Sequence, residues 1–320
     1  MDPLYINKEK VRELLPMREC IDVMQKMFIA LSNREITQPL RNLMWLPGKQ
    51  GLLGMMPGHS EALGVIGIKV ISAFDGNREL GLPSHQGLVI LFDAKHGQPL
   101  LICDGLEITA IRTAAASAVA TRYLAKEKAG LLAIIGSGEQ AERHIEAMLC
   151  VRNIKMVNIW SRNEKHAREM VDRLSGKFNI PLEVKKTAEE AVAKADIICT
   201  VTSSSVPVLN GDWISDGAHI NAVGSCSPLT RELDSVAVLH AKLYTDCYES
   251  LFNEAGDFII PKKEGVLTDN HIKGEVGEVI LGTKGGRETD EEITLFKSLG
   301  ISAEDIYAAW HIYQKVLKGA

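Results

Sequence analysis

An apolar run that ends in two glycines and then turns amphipathic constrains the fold of this chain more than any other stretch. Leu131-Leu-Ala-Ile-Ile-Gly-Ser-Gly-Glu-Gln-Ala141 reads as a buried strand, a tight turn, and the opening of a helix expected to reach residue 150. Gly136 permits the bend, Gly138 lets the backbone approach a ligand, and Ala141 holds the third small position of a dinucleotide fingerprint. Free amides in the first helical turn supply donors and partial positive charge, which suits a pyrophosphate. Glycines between a strand and a helix are also ordinary turn chemistry, so the motif alone leaves both readings open.

The residues that follow favour the nucleotide reading. A second apolar run over 156–160 comes one helix later, then Ser161-Arg-Asn163, then an amphipathic stretch over 164–178. Strand, helix and strand thus recur at the spacing of a right-handed crossover. Residues 195–201 and 218–223 read as further short strands, and residues 187–194 as a helix between two of the strands in the series. Their uniformly apolar character is that of parallel strands buried on both faces. The expected fold class is therefore α/β, with a Rossmann-type dinucleotide-binding domain over 126–302. An acidic residue after the second strand would bond a ribose 2′-hydroxyl and repel a phosphate. This chain offers Ser161 and Arg162, with no carboxylate before Glu164, so the site leans to NADP, with NAD possible. The alternative is that Arg162 stacks on the adenine or stays in solvent.

At 320 residues the chain suits two domains, and its 46% hydrophobic and 24% charged content is that of a globular protein. Its net charge is −5 and its basic residues are scattered, so no nucleic-acid partner is expected. Residues 1–15 lack the apolar core of a signal peptide and no window is apolar enough to span a bilayer, which points to a cytoplasmic protein with no membrane partner. Six cysteines without a C-x-x-C pair and nine histidines without an i, i+4 pair give no metal site.

The first half has a different pattern. Helical periodicity over 8–15 and 18–33 gives way to short strands over 42–46, 51–56, 65–72, 87–93 and 99–104, with a hairpin-type turn at Asp93-Ala-Lys-His-Gly97. An alanine-rich helix over 109–125 follows, and the amphipathic C-terminal stretch can return to this part. The expectation is an α+β substrate and dimerisation domain over 1–125 with 303–320. Three basic residues stand out in it. Arg41 follows Pro39-Leu40, Lys69 lies inside the apolar strand Gly67-Ile-Lys-Val-Ile71, and Arg112 opens a run of small residues. Buried cations require anions, and arginine's planar fork matches a carboxylate, so these three converging would clamp an α-imino or α-amino acid. In the competing reading Lys69 snorkels at a strand edge and Arg112 pairs with Asp104 or Glu107.

Several ordered segments resemble the ornithine cyclodeaminase/mu-crystallin family: Gly67-Ile-Lys69, Leu91-Phe-Asp93 with Gly97-Gln-Pro99, Asp104-Gly105, Thr109-Ala-Ile-Arg-Thr-Ala-Ala-Ala-Ser117, the glycine turn, His219-Ile-Asn-Ala-Val-Gly224, Glu254-Ala-Gly-Asp257 and Glu292-Ile-Thr-Leu-Phe-Lys-Ser-Leu-Gly300. The likeness runs through nearly the whole chain. It implies a Rossmann domain, a second domain that forms a homodimer, an active site in the cleft between the domains, and a substrate carboxylate held at Arg41, Lys69 and Arg112. Ornithine cyclodeaminases of the family carry an acidic residue two before the Met-Pro pair and another after the His-Ile-Asn-Ala-Val-Gly stretch. Here those places hold Gly54 and Cys226, so a substrate without a distal ammonium is expected, and the chain is placed nearer the ketimine reductase/mu-crystallin branch.

The activity expected is NAD(P)H-dependent reduction of a cyclic or simple α-imino acid. Lys69, flanked by guanidinium groups, is the expected catalytic residue, relaying a proton from a lowered pKa. Arg41, Lys69, Arg112 and Cys226 are the candidate substrate contacts. Thr113, Gly136, Gly138, Glu139, Gln140, Ser161, Arg162, Asn163 and Val223 are the candidate cofactor contacts. Cys226 is taken as lining the pocket rather than as a nucleophile, His219 as structural, and Asp104 and Asp257 as turn caps or braces. Ornithine cyclodeamination, alanine dehydrogenation and a non-catalytic, crystallin-like NADP-binding protein are the alternatives.

Overall fold

In the computed structural model, which describes residues 2–319, the chain divides into two compact units, Met1–Thr113 with Ile301–Ala320, and Ala114–Gly300. In the first, β1 (Leu4–Ile6) leads into α1 (Lys8–Leu14) and α2 (Met17–Ser32). The Asn7 side chain caps α1 by accepting from the Lys10 amide. Strands β2 (Ile36–Thr37), β3 (Asn42–Trp45), β4 (Leu52–Ser60), β5 (Val65–Ala73), β6 (His85–Asp93) and β7 (Pro99–Asp104) follow, then α3 (Gly105–Leu124). The sheet runs β1-β7-β6-β5-β4-β2 with β3 also on β4, and only the β1–β7 pair is parallel. The expected hairpin turn is present: Gly97, at φ 71°, donates its N–H back to the Asp93 carbonyl.

The C-terminal helix, Ser302–Leu317, packs on the inner face of this sheet and against α2. Strand period places Val65, Gly67 and Lys69 on that inner face, and all three are buried. Gly58 and Gly67 face each other across the β4–β5 pair, and a Cβ at either would come within 2.8 and 2.6 Å of Ile306. Two glycines thus form a saddle that seats Ile306 of the C-terminal helix.

The second unit is built on strands β8 (Leu131–Ile135), β9 (Met156–Trp160), β10 (Leu182–Val184), β11 (Ile197–Thr200), β12 (His219–Ala222), β13 (Lys242–Thr245), β14 (Ile272–Glu275) and β15 (Thr294–Lys297). They form one parallel sheet in the order β10-β9-β8-β11-β12-β15-β13-β14. Helices α4 (Glu139–Val151), α5 (Glu164–Leu174) and α6 (Ala188–Val192) make the crossovers of its first half. The order grows from β8 in both directions, so the switch point lies between the C-terminal ends of β8 and β11.

Three boundaries differ from expectation. The division falls at 113/114 and 300/301 rather than at 125/126 and 302/303, because the second half of α3 belongs to the parallel-sheet unit. Asn221 donates to the Thr121 hydroxyl, Arg152 to the Thr121 carbonyl, and Thr294 to the Leu124 carbonyl. Helix α3 begins at Gly105, where Asp104 accepts the Glu107 amide as a cap. Helix α5 stops at Leu174, ahead of Gly176 at φ 80°. Strands β13, β14 and β15 have no counterpart in the sequence reading, and β15, late in the chain, inserts between β12 and β13.

Candidate active site

Lys69 projects from β5, which is paired on both sides, so it is not an edge lysine. It is 3% exposed, and its ammonium lies 2.7 Å from Asp305 Oδ2, with a longer bond of 3.4 Å to the Thr109 hydroxyl. Arg112, one turn after Thr109 on α3, is equally buried. Its Nε donates to Asp305 Oδ1 at 3.0 Å and its Nη1 to Glu304 Oε2 at 2.6 Å. The competing partners are thereby corrected. Asp104 caps α3, and Glu107 accepts from Arg12 at 3.0 and 2.9 Å. The anions that make these cations tolerable come instead from the first turn of the C-terminal helix, where a helix N-terminus also favours negative charge.

Burial pushes the Lys69 ammonium down to about 8, with the Arg112 charge adding to the effect, Asp305 opposing it and Arg41 lowering it further. Burial also works against the Arg112 cation, but Asp305 and Glu304 outweigh it and hold its pKa above the ordinary value. Arg41 sits between β2 and β3, close enough to be felt by Lys69. The structure thus gathers the three expected cations in one unit. It adds Glu304 and Asp305, which the sequence reading passed over as part of an amphipathic helix. The signal was a pair of acids opening that helix with apolar residues on either side, Ala303 and Ile306.

In the second unit, Gly136 has φ 135°, and a Cβ there would lie 2.8 Å from the Val201 carbonyl, so its glycine answers a backbone approach at the end of β11. Gly138 is different. It caps α4 at φ −89°, and a Cβ there would meet no atom within 4 Å. Nothing inside the protein demands glycine at 138, so the open space over the first turn of α4 fits a bound pyrophosphate. Glu139 and Gln140 open that helix. His144 fastens it, with Nδ1 2.7 Å from the Gln140 carbonyl and Nε2 3.0 Å from the Ser117 hydroxyl. Burial drives His144 down to about 4, so it stays neutral. Beyond β9, Ser161 accepts from the Ser137 hydroxyl at 2.9 Å, Arg162 is exposed, and Asn163 caps α5 through the Lys165 amide. Glu164 accepts from Arg168 on α5.

The loops after β11 and β12 are held by a buried carboxylate that the sequence reading did not single out. Glu232 accepts from the Thr200 hydroxyl, the Thr202 amide and hydroxyl, and the Gly224 amide, at 2.6–2.8 Å. Burial nevertheless raises its pKa. Asp257 accepts the amides of Glu232 and Leu233 and pairs with Lys297 at 3.0 Å, while Lys297 donates to the Ser225 carbonyl. Val223 is tied to the Thr200 carbonyl, and Cys226 is exposed in the loop that follows β12. Thr113 is buried in α3. His219 is structural: it meets the Thr294 hydroxyl at 3.0 Å, and burial pushes it down to about 3. Among the described residues no cluster suits a metal ion, and no helix is long and apolar enough to cross a membrane.

A parallel sheet with a glycine turn at its switch point, in one chain with a sheet carrying a buried cation cluster, defines a Rossmann-type protein equipped for a dinucleotide and a small anion. The chain belongs to the ornithine cyclodeaminase/mu-crystallin family, whose profile matches residues 1–320. It is 38% identical over 316 residues to a Delta(1)-pyrroline-2-carboxylate reductase of Bacillus cereus, covering 98% of this chain and 97% of the relative. It is 36% identical over 323 residues to the ketimine reductase mu-crystallin of Mus musculus, covering 99% and 98%. The solved structure of Thermococcus litoralis Delta(1)-pyrroline-2-carboxylate reductase in complex with NADH and L-proline superposes with a TM-score of 0.95 at 39% identity, covering 98% of each chain. The expected placement beside the reductase and mu-crystallin branch holds.

Proposed function

We propose that this protein is an NAD(P)H-dependent oxidoreductase that reduces the C=N bond of a cyclic α-imino acid of the Δ1-pyrroline-2-carboxylate type to the α-amino acid. The observation that carries the reading is the buried Lys69, held between a carboxylate and arginines. Its relatives, named as pyrroline-2-carboxylate and ketimine reductases, support the substrate class.

In this reading Arg112, whose Nη2 makes no bond among the described residues, and Arg41 receive the substrate carboxylate. The bound dinucleotide supplies the hydride that the imine carbon takes up. Lys69 gives its proton to the imine nitrogen as the C=N bond becomes single, and recovers one from water. A group with pKa near 8 is both protonated and able to give its proton up near neutral pH. The second unit holds the pyrophosphate over Gly138 and the first turn of α4, and Ser161 with Arg162 favours NADPH over NADH. Gly54 and Cys226 leave no carboxylate at those two places for a distal ammonium.

We also propose a homodimer formed through the outer face of the first unit's sheet. Met44, Ile66 and Leu88 lie on that face and are 48, 42 and 39% exposed. Paired strands with an apolar uncovered face fit a second copy of the same chain.

The test is direct: purified protein, NADPH and Δ1-pyrroline-2-carboxylate, followed at the nicotinamide absorbance with proline measured as product. Stoichiometric NADPH loss and proline gain are expected. No reaction with this substrate, with a six-membered cyclic ketimine, or with pyruvate and ammonia would leave a cofactor-binding protein without turnover.

A further inference from the structure

Asp305 stands in neither the turn nor the cation set from which the reaction was read. Its two oxygens are divided between two cations, Oδ2 to Lys69 at 2.7 Å and Oδ1 to Arg112 Nε at 3.0 Å. We infer that Asp305 is a positioning residue for the reaction: it bridges Lys69 and Arg112, fixes the spacing of proton donor and carboxylate clamp, and keeps the Lys69 ammonium charged. The inference rests on the proposed reaction for its meaning, but not for its geometry.

A structural duty alone does not explain the carboxylate. The C-terminal helix is already seated by Ile306 in the Gly58–Gly67 saddle. Its start is tied to Gln38, which accepts from the Ser302 hydroxyl and the Ala303 amide at 3.2 and 3.0 Å. Its far end is held by Glu19, through His311 and Lys315. A buried ion pair adds little to stability over an apolar replacement, whereas removing one partner strands the other charge. The charge at 305 therefore points to what it does for Lys69 and Arg112.

The surroundings of Lys69 make that effect legible. Its register neighbours Met56 on β4 and Val89 on β6 carry no charge. From α3 it faces Arg112 and the Thr109 hydroxyl, from the β2–β3 connection Arg41, and from the C-terminal helix Asp305, with Glu304 acting through Arg112. Burial keeps the nearby thiols of Cys20 and Cys103 protonated, so neither adds charge. Asp305 is the one carboxylate ion-paired with the Lys69 ammonium among the described residues. Without it, two guanidinium groups and burial act on Lys69 unopposed.

The experiment is a titration of the lysine Nζ signals by NMR in 15N-lysine-labelled protein free of cofactor, with the Lys69 signal assigned by its loss in K69M. D305N is expected to move the Lys69 midpoint down by about one pH unit or more. In the assay D305N should move the alkaline limb of kcat/KM the same way and lower kcat at least tenfold, with NADPH affinity unchanged. D305E should recover part of both. A helix anchor alone would move neither midpoint nor limb. If D305N does not fold, D305E carries the test, with a smaller displacement of the midpoint expected. An Nζ midpoint identical to wild type in the folded variant overturns the inference whatever the substrate. A displaced midpoint in a protein that reduces no imino acid would support the bridge while removing the proposed reaction.

Discussion

At the scale of single residues, the chemistry turns on where Lys69 gains and loses its proton. Burial, Arg112 and Arg41 hold its pKa near 8, below that of an ordinary lysine. The group is an acid in the proposed reaction, so it is competent below that value and lost above it. We expect kcat/KM to fall as pH rises through about 8. A bound substrate carboxylate adds negative charge beside the ammonium and raises its pKa, so the limb in kcat should lie at higher pH than the limb in kcat/KM. Coincident limbs, or no alkaline limb, would count against Lys69 as the donor. K69M should lose about 10²–10⁴-fold in turnover and keep its NADPH affinity, measured by fluorescence titration.

Arg162 belongs to the same scale. Its side chain is exposed, and Glu164, the first acid after β9, accepts from Arg168. A guanidinium bond to a 2′-phosphate is worth about 1.5–3 kcal/mol. R162A should therefore weaken NADPH about tenfold or more while changing NADH little. Equal losses for both cofactors would show that the 2′ position is read elsewhere.

At the scale of elements, the two glycines of the turn carry different duties, and substitution separates them. At Gly136 a side chain is strained by φ 135° and by the Val201 carbonyl at 2.8 Å. G136A should cost on the order of 1–3 kcal/mol of stability, visible as a lower Tm. At Gly138 the backbone is extended and the space above is empty of protein, so G138A should cost less than G136A, on the order of 0.5–1 kcal/mol for the poorer N-cap. If a pyrophosphate rests there, the same methyl should weaken the dinucleotide about tenfold or more. Unchanged cofactor affinity in G138A would remove the pyrophosphate from that turn.

Elements were legible where a local pattern sufficed. Strands Leu131–Ile135 and Met156–Trp160 lie at the apolar runs, because parallel strands buried on both faces leave no other composition open. Lys69 stood out because a cation in such a run demands a partner. That partner was not legible: Asp305 lies 193 positions from Arg112, and only the folding of the C-terminal helix onto β4 and β5 brings it there. Glu232 was hidden for the same reason, since its bonds run to loops after two other strands. Strands β13 to β15 are short, and the late insertion of β15 follows from pairing rather than from periodicity.

At the scale of the whole molecule, the outer face of the first unit's sheet sets the last expectation. Strand alternation that turns Val65, Gly67 and Lys69 inward turns Ile66, Ile68 and Val70 outward, and β6 answers them with Phe92, Ile90 and Leu88. An antiparallel sheet with one face in water normally alternates polar residues outward. This one does not, and on β3 beside it Met44 shares that face and is 48% exposed. A second copy laid on this face would cover these side chains, and a stable interface needs about 1,600 Å² in total. Light scattering on the purified protein should give twice the chain mass at micromolar concentration. I66K with L88K places two cations where the copies meet, so the double variant should run as a monomer with its far-ultraviolet circular dichroism unchanged. Gly138 and the first turn of α4 belong to the other unit, so NADPH affinity should survive dissociation. A wild-type protein that is monomeric at these concentrations, or a double variant that stays dimeric, would assign the apolar face to something other than self-association.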